Sequence, residues 1–205
     1  IFWDNPLRFY PRLKARVDAM LVSFDEVIVQ RYVEGRELNV GIVGDMVLPI
    51  AEIDFTTMPK GLWPIVTYRS KWDTGSEEDL GSVPRCPAEL PARVANEVRR
   101  VAREAWHLVG GHGYGRVDMR LDPNGQPWVL EVNANPDIAP DAGLARMARV
   151  AGIDYATLVR TICELGIARR REQQMQPDGW ALAQEVWGMP VPASPELQLF
   201  AGGER

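Results

Sequence analysis

With 205 residues, 46% of them hydrophobic and 25% charged, the chain has enough apolar material for one sizeable globular domain or most of one. A formal net charge of −5 gives no electrostatic reason to expect nucleic acid, and no apolar run approaches the roughly 20 residues that cross a bilayer. Ile1-Phe2-Trp3-Asp4 offers neither the basic region nor the apolar core of a signal peptide. The two cysteines, Cys86 and Cys163, are far apart and lack a metal-binding spacing, as expected of reduced thiols in a cytoplasmic protein. The first residue is not Met, which fits a fragment or a processed product.

Leu13, Val17, Met20 and Phe24 recur at helical spacing and predict a helix over 6–24. Residues 26–32 read as a strand, Glu34-Gly35 as a turn, and 36–43 and 46–55 as two further strands linked by Gly44-Asp45. Residues 56–87 show no sustained period and read as a long loop, a length that in a compact domain usually signals function. An amphipathic helix comes next at about 88–109, with Val94, Val98, Val101, Ala105 and Leu108 as its apolar stripe and Gly110-Gly111 at its end. Helices at about 143–151 and 154–168 close the domain. From Arg169 the chain changes character: Arg169-Arg170-Arg171 is a charge run, and Pro177, Pro190, Pro192 and Pro195 interrupt the remaining residues. The division expected is therefore a domain over 1–168 and a tail or linker over 169–205.

Chemistry concentrates in Arg116-Val117-Asp118-Met119-Arg120-Leu121, Asp122-Pro123-Asn124-Gly125 and Val129-Leu130-Glu131-Val132-Asn133. Asn124-Gly125 between two alternating apolar runs predicts a hairpin with a two-residue type I′ turn. That turn sets Asp118 opposite Glu131 and Arg116 opposite Asn133. On the other face it pairs Val117 with Val132, Met119 with Leu130 and Leu121 with Trp128, leaving that face wholly apolar. Two carboxylates facing each other across a ladder repel, and a hard divalent cation with oxygen ligands would compensate them. An exposed sheet face with Arg116 and Arg120 as the acids' partners is the plainer reading.

The order of these elements resembles the C-terminal part of an ATP-grasp ligase, in the D-alanine–D-alanine ligase branch. The resemblance rests on Gln30-Arg31-Tyr32-Val33-Glu34-Gly35-Arg36-Glu37, Lys71-Trp72, Gly113-Tyr114-Gly115-Arg116-Val117-Asp118, Glu131-Val132-Asn133-Ala134-Asn135-Pro136 and Ala151-Gly152-Ile153, over about residues 27–165. It implies an α+β ATP-grasp fold, an antiparallel sheet flanked by helices, without the upstream Gly-rich loop and N-terminal domain. It also implies an ATP-dependent carboxylate–amine ligase that works through an acyl phosphate. Asp118, Glu131 and Asn133 would hold two Mg²⁺ ions, with Mn²⁺ as an alternative. Arg116 would lie beside the transferred phosphoryl group, and Lys71 would reach the nucleotide phosphates. Gln30, Tyr32 and Val33 would line the adenine pocket, Glu37 would accept from the ribose hydroxyls, and Leu130 would pack under the adenine. Gln30 stands where the branch commonly has Glu.

The expected partners are a small carboxylate and an amine, plus the missing N-terminal part of the enzyme or a partner chain, with a homodimer left open. A non-catalytic ATP-grasp relic or partner-binding module is the alternative. Trp72, Trp106 and Trp128 are expected to pack, and neither His107 nor His112 enters the mechanism. In Asn135-Pro136-Asp137-Ile138-Ala139-Pro140-Asp141-Ala142-Gly143 the branch has Pro-Gly and then a serine, where this chain has Asp137 and Ala142. The change argues against D-alanine as acceptor and would suit a cationic substrate, unless Asp141 simply caps the following helix.

Overall fold

The computed structural model describes residues 11–175, so the expected tail beyond Met175 lies outside the described residues. The chain divides into two units between Glu34 and Gly35. In the first, α1 spans Pro11–Leu21; it ends before the Phe24 expected, and residues 6–10 lie outside the described residues. The strand expected at 26–32 is not formed: these residues pair with no strand among the described residues, and Ile28 is 85% exposed. A β-branched run alone does not make a strand without a ladder to take up its backbone groups.

The second unit is built on a six-stranded antiparallel sheet: β1 (Arg36–Val43), β2 (Met46–Val47), β3 (Ala51–Asp54), β4 (Val83–Arg85), β5 (Tyr114–Leu121) and β6 (Pro127–Asn133). The order is β4-β3-β1-β5-β6, with β2 paired to the end of β1. The single strand expected over 46–55 is broken in two. Pro49 has no N–H to give a ladder, and the Leu48 amide turns to the Gly41 carbonyl at 2.9 Å.

The segment read as a loop over 56–87 carries α2 (Tyr68–Trp72), α3 (Glu77–Leu80) and β4. Thr67 and Ser70 cap each other's backbone at the start of α2, and Ser76 caps α3. Helices of five and four residues are too short to show a period, so their caps are the only local sign of them.

Strand alternation sorts the sheet's two faces. On one, Leu38, Val40 and Ile42 of β1 and Val117, Met119 and Leu121 of β5 bury against α4 (Ala92–Leu108), which contributes Ala95, Val98, Ala102 and Trp106. The buried stripe is rotated from the expected one, and Leu108 is exposed. Trp106 lies so close to Gly111 and Gly115 that an added Cβ at either would fall within its ring. On the other face, α5 (Gly143–Val150) and α6 (Tyr155–Met175) close over one end of the sheet through Leu144, Met147, Ala148 and Leu158. Gly41 lets them approach, because a Cβ there would meet Leu144 Cδ1 at 2.8 Å. The rest of that face is left for polar side chains. Residue 168 falls inside α6, which runs past the helix end expected there.

The β5–β6 hairpin keeps the expected register at one end only. Arg116, Val117 and Asp118 lie opposite Asn133, Val132 and Glu131. Past an irregularity between Asp118 and Met119 the pairing slips by one, so that Met119 meets Val129, Arg120 meets Trp128 and Leu121 meets Pro127. The turn explains the slip. Gly125 has φ 79° and no non-glycine residue among those described has positive φ, which rules out type I′. Asp122-Pro123-Asn124-Gly125 instead has the residue preferences of a type I turn followed by a left-handed glycine. It is closed by the Gly125 amide on Asp122 O (2.9 Å) and the Asp122 amide on Gln126 O (3.0 Å). Asp122 Oδ1 also accepts from the Asn124 and Gln126 amides, both at 2.9 Å. The slip moves Trp128 away from the apolar face and opposite Arg120.

Candidate active site

Three strands present their polar face together. β1 contributes Glu37 and Asn39, β5 contributes Arg116, Asp118 and Arg120, and β6 contributes Glu131 and Asn133; the register pairs Glu37 with Arg120, Asn39 with Asp118, Asp118 with Glu131 and Arg116 with Asn133. Arg116 grips Asp118 with two hydrogen bonds, Nε to Oδ1 at 2.6 Å and Nη2 to Oδ2 at 2.7 Å. Asn39 Nδ2 donates to the same Oδ1 at 2.7 Å. The hydrogen bonds to Asp118, working against burial, raise the Arg116 pKa, with the nearby charges of Asp118, Glu131 and Glu37 adding to it. This guanidinium stays charged at any working pH.

Glu37 and Arg120 form a buried pair, 7% and 2% exposed, with Nη1 to Oε2 at 3.3 Å. Arg120 also donates to the carbonyls of Pro64 and Gly35, each at 2.9 Å. Burial pushes the Glu37 carboxyl above its ordinary value, and Arg120 offsets part of that rise. The neighbouring Arg36 is forked onto Glu52 at 2.6 and 2.5 Å.

A cavity of about 210 Å³ opens on this face, lined by Glu37, Asn39, Lys71, Arg116, Asp118 and Arg146 with apolar walls. It brings together four of the expected site residues, Glu37, Lys71, Arg116 and Asp118. Lys71 arrives on α2, within the segment expected to be a loop. Glu131 and Asn133 adjoin the cavity's β5 residues through the ladder, and Asn133 Oδ1 accepts from the Asn135 amide at 2.9 Å. Leu130 sits at the slip in register on β6, 42% exposed. Gln30, Tyr32 and Val33 belong to the first unit.

Among the described residues no three His, Cys, Asp or Glu side chains form a metal cage. The available donors are two carboxylates, Asp118 and Glu131, and the carboxamide of Asn133. That set fits Mg²⁺, which takes one or two carboxylates and keeps waters or phosphate oxygens for the rest of its shell.

Asp137 and Asp141 do not line this cavity. Asp137 Oδ1 accepts from the Ala139 amide at 2.8 Å, which spends it on its own loop. Asp141 is not the cap of α5 either: the cap position is Ala142, with no side-chain hydrogen bond. Trp72 is 72% exposed rather than packed, whereas Trp106 is buried as expected. Asn39 and Arg146 were missed by sequence reasoning, and Arg120, weighed there as a partner of Asp118 and Glu131 on an exposed face, is buried on Glu37. Asn39 and Glu37 alternate with Leu38 and Val40, a pattern that would have placed them on the polar face.

The family model described as D-ala D-ala ligase C-terminus matches residues 10–164. The chain belongs to this family. It is 38% identical over 139 residues to the D-alanine–D-alanine ligase of Dechloromonas aromatica (strain RCB), an alignment covering 68% of this chain and 42% of that protein. The corresponding ligase of Bordetella avium (strain 197N) is 35% identical over 140 residues, 66% of this chain and 41% of that protein. The chain thus spans about two fifths of the length of these relatives. Among solved structures, the D-alanine–D-alanine ligase of Bacillus anthracis superposes with a TM-score of 0.64 at 26% identity, over 84% of this chain and 51% of that one. The VanG D-Ala:D-Ser ligase of Enterococcus faecalis gives 0.60 at 20% identity, over 76% of this chain and 43% of that one, a likeness of fold alone. The fold is that of the ATP-grasp D-alanine ligases, with an antiparallel sheet flanked by helices, as the sequence led one to expect.

Proposed function

We propose that this chain carries the phosphoryl-handling half of an ATP-dependent carboxylate–amine ligase. The observation that supports it most is the gathering of Glu37, Lys71, Arg116 and Asp118 on one cavity, with Glu131 and Asn133 beside it. In this reading a substrate carboxylate oxygen attacks the γ-phosphorus of ATP and ADP leaves. The amine then attacks the acyl carbon and phosphate leaves. Asp118, Glu131 and Asn133 would hold Mg²⁺ (two ions, or Mn²⁺ in its place), which neutralises phosphate charge when bound. Arg116 stabilises the charge of the phosphoryl in flight with a fixed fork. Lys71 reaches the nucleotide phosphates from α2. Gln30, Tyr32, Val33 and Leu130 contact the adenine, and Glu37 faces the ribose. The chain's main contributions are positioning and charge.

Asp137 and Ala142, standing where the branch has a small residue and a serine, support a substrate other than D-alanine. Dependence on ATP argues for a cytoplasmic site of action, and no helix among the described residues is long and apolar enough to cross a membrane. The second reading, a non-catalytic partner module, draws support from the outer edge of β6, where Trp128, Val129 and Leu130 are exposed. The deciding experiment is ATP-dependent phosphate release across a panel of amino acids and amines, for wild type and Asp118→Asn. Turnover that Asp118→Asn abolishes supports the ligase, and equal background from both proteins favours the module.

A further inference from the structure

A second cavity, of about 660 Å³, adjoins the first and is bordered by Arg36, Glu52, Arg85, Cys86, Glu89 and Arg146. Pro84 and Arg146 line both. Four arginines therefore border the two cavities, and three are already matched by carboxylates. Arg116 is forked onto Asp118, Arg36 onto Glu52, and Arg85 Nε meets Asp54 at 2.6 Å. Arg146 differs. Its hydrogen bond among the described residues runs from Nη2 to the backbone carbonyl of Asp141 at 3.1 Å. The guanidinium is left half-buried, with no carboxylate partner among the described residues. The geometry of a guanidinium fork matches a carboxylate, and the pairing strengthens away from bulk water.

We propose that Arg146 is the specificity-determining residue of the substrate cavity, and that it selects a substrate with an acidic side chain, of the aspartate or glutamate class. The inference rests on the ligase reading and names its substrate class. Arg146 stands on α5, while the proposed phosphoryl-handling residues stand on β5 (Arg116 and Asp118), β6 (Glu131 and Asn133) and α2 (Lys71). Arg146 also borders the second cavity, which none of the proposed phosphoryl-handling residues lines, so the carboxylate assigned to it is the one that does not react. The neighbouring walls, Ala51, Ile53, Val66 and Met147, suit the methylene stem of such a side chain. The loop acids Asp137 and Asp141 do not oppose it, since neither lines the cavity.

The test compares wild type, Arg146→Met and Arg146→Lys in ATP-dependent phosphate release with both enantiomers of alanine, aspartate and glutamate. Wild type is expected to favour an acidic amino acid over alanine. Arg146→Met is expected to raise KM for that substrate about 10- to 100-fold, the worth of a charge-assisted hydrogen bond, with kcat and the KM for ATP little changed. Arg146→Lys, which keeps the charge and loses the fork, should recover part of the loss. A preference for alanine that is indifferent to Arg146, or an equal loss for every substrate, overturns the proposal while leaving the ligase reading intact. If no amino acid is turned over, the ligase reading fails, and calorimetry with glutamate and alanine decides the inference by itself. Glutamate binding that Arg146→Met abolishes supports it, and absence of such binding overturns it. Urea unfolding of each variant shows whether it is folded, and Arg146→Lys supplies the comparison if Arg146→Met is not.

Discussion

Arg116 and Asp118 stand two residues apart on one strand and share a pair of hydrogen bonds at 2.6 and 2.7 Å. The cation proposed to meet the phosphoryl group is thus held by a carboxylate proposed to hold the metal. Asp118→Asn should cut phosphate release about 100-fold or more, on the scale of losing one preorganised electrostatic contact. Arg116→Lys should not rescue function, because a point charge cannot reproduce the fork. Steady-state phosphate release at several Mg²⁺ concentrations checks both, with Asp118→Asn needing more Mg²⁺ than wild type.

The Glu37–Arg120 pair gives a stability prediction. Arg120→Met leaves a carboxylate buried without its cation and should cost about 3–5 kcal/mol, read from urea unfolding at neutral pH.

The same pair has a pH signature. Glu37 has its folded-state pKa raised from an ordinary 4.5 by burial. The folded state therefore binds the proton more tightly than the unfolded state. The stability this contributes is complete below about 4.5 and is lost as pH rises through the folded-state value. Compared with Glu37→Gln, wild type should lose relative stability as pH climbs across that window. Unfolding curves of the two proteins at matched pH supply the difference and cancel the groups they share.

Gly115→Ala is expected to be damaging although it adds one methyl group. The Cβ would enter the space of the Trp106 ring, and relieving it means shifting either α4 or the start of β5. Overpacking of this kind costs about 1–3 kcal/mol. Because Arg116 is the next residue, activity should fall further than stability alone explains. Gly115→Ala combined with Trp106→Leu should recover part of both, in parallel thermal melts and phosphate-release assays.

Lys71→Ala should raise the KM for ATP about 10-fold, with a smaller effect on the amino-acid KM. Equal changes in both would place Lys71 on the acceptor side instead.

Much of the site was legible because it lies on a regular sheet. The register around Asp118 and Glu131 followed from the alternation in β5 and β6, and the partnership of Arg116 with Asn133 came with it. What was not legible depends on contacts distant in sequence. Arg120 finds Glu37 only when β1 pairs with β5, and Arg146 reaches the cavity only because α5 folds over the sheet end. Residues 26–32 failed in the opposite direction, since their pattern is right for a strand but they join no strand ladder among the described residues. The turn was misread because Asn-Gly outweighed Asp122-Pro123, whose type I preference decides the loop. Helices α2 and α3 escaped notice because their caps involve serine and threonine over a single turn each.

The irregularity between Asp118 and Met119 divides the hairpin into two lengths with separate registers, and so acts as a joint that takes up slack. A residue added or removed in Pro123–Gly125 changes the pairing of Met119 to Leu121, and the error can be absorbed at Leu130 before it reaches Glu131. The tip of this hairpin is therefore a suitable place to splice in a reporter peptide, since a graft there leaves the acidic end of the ladder undisturbed.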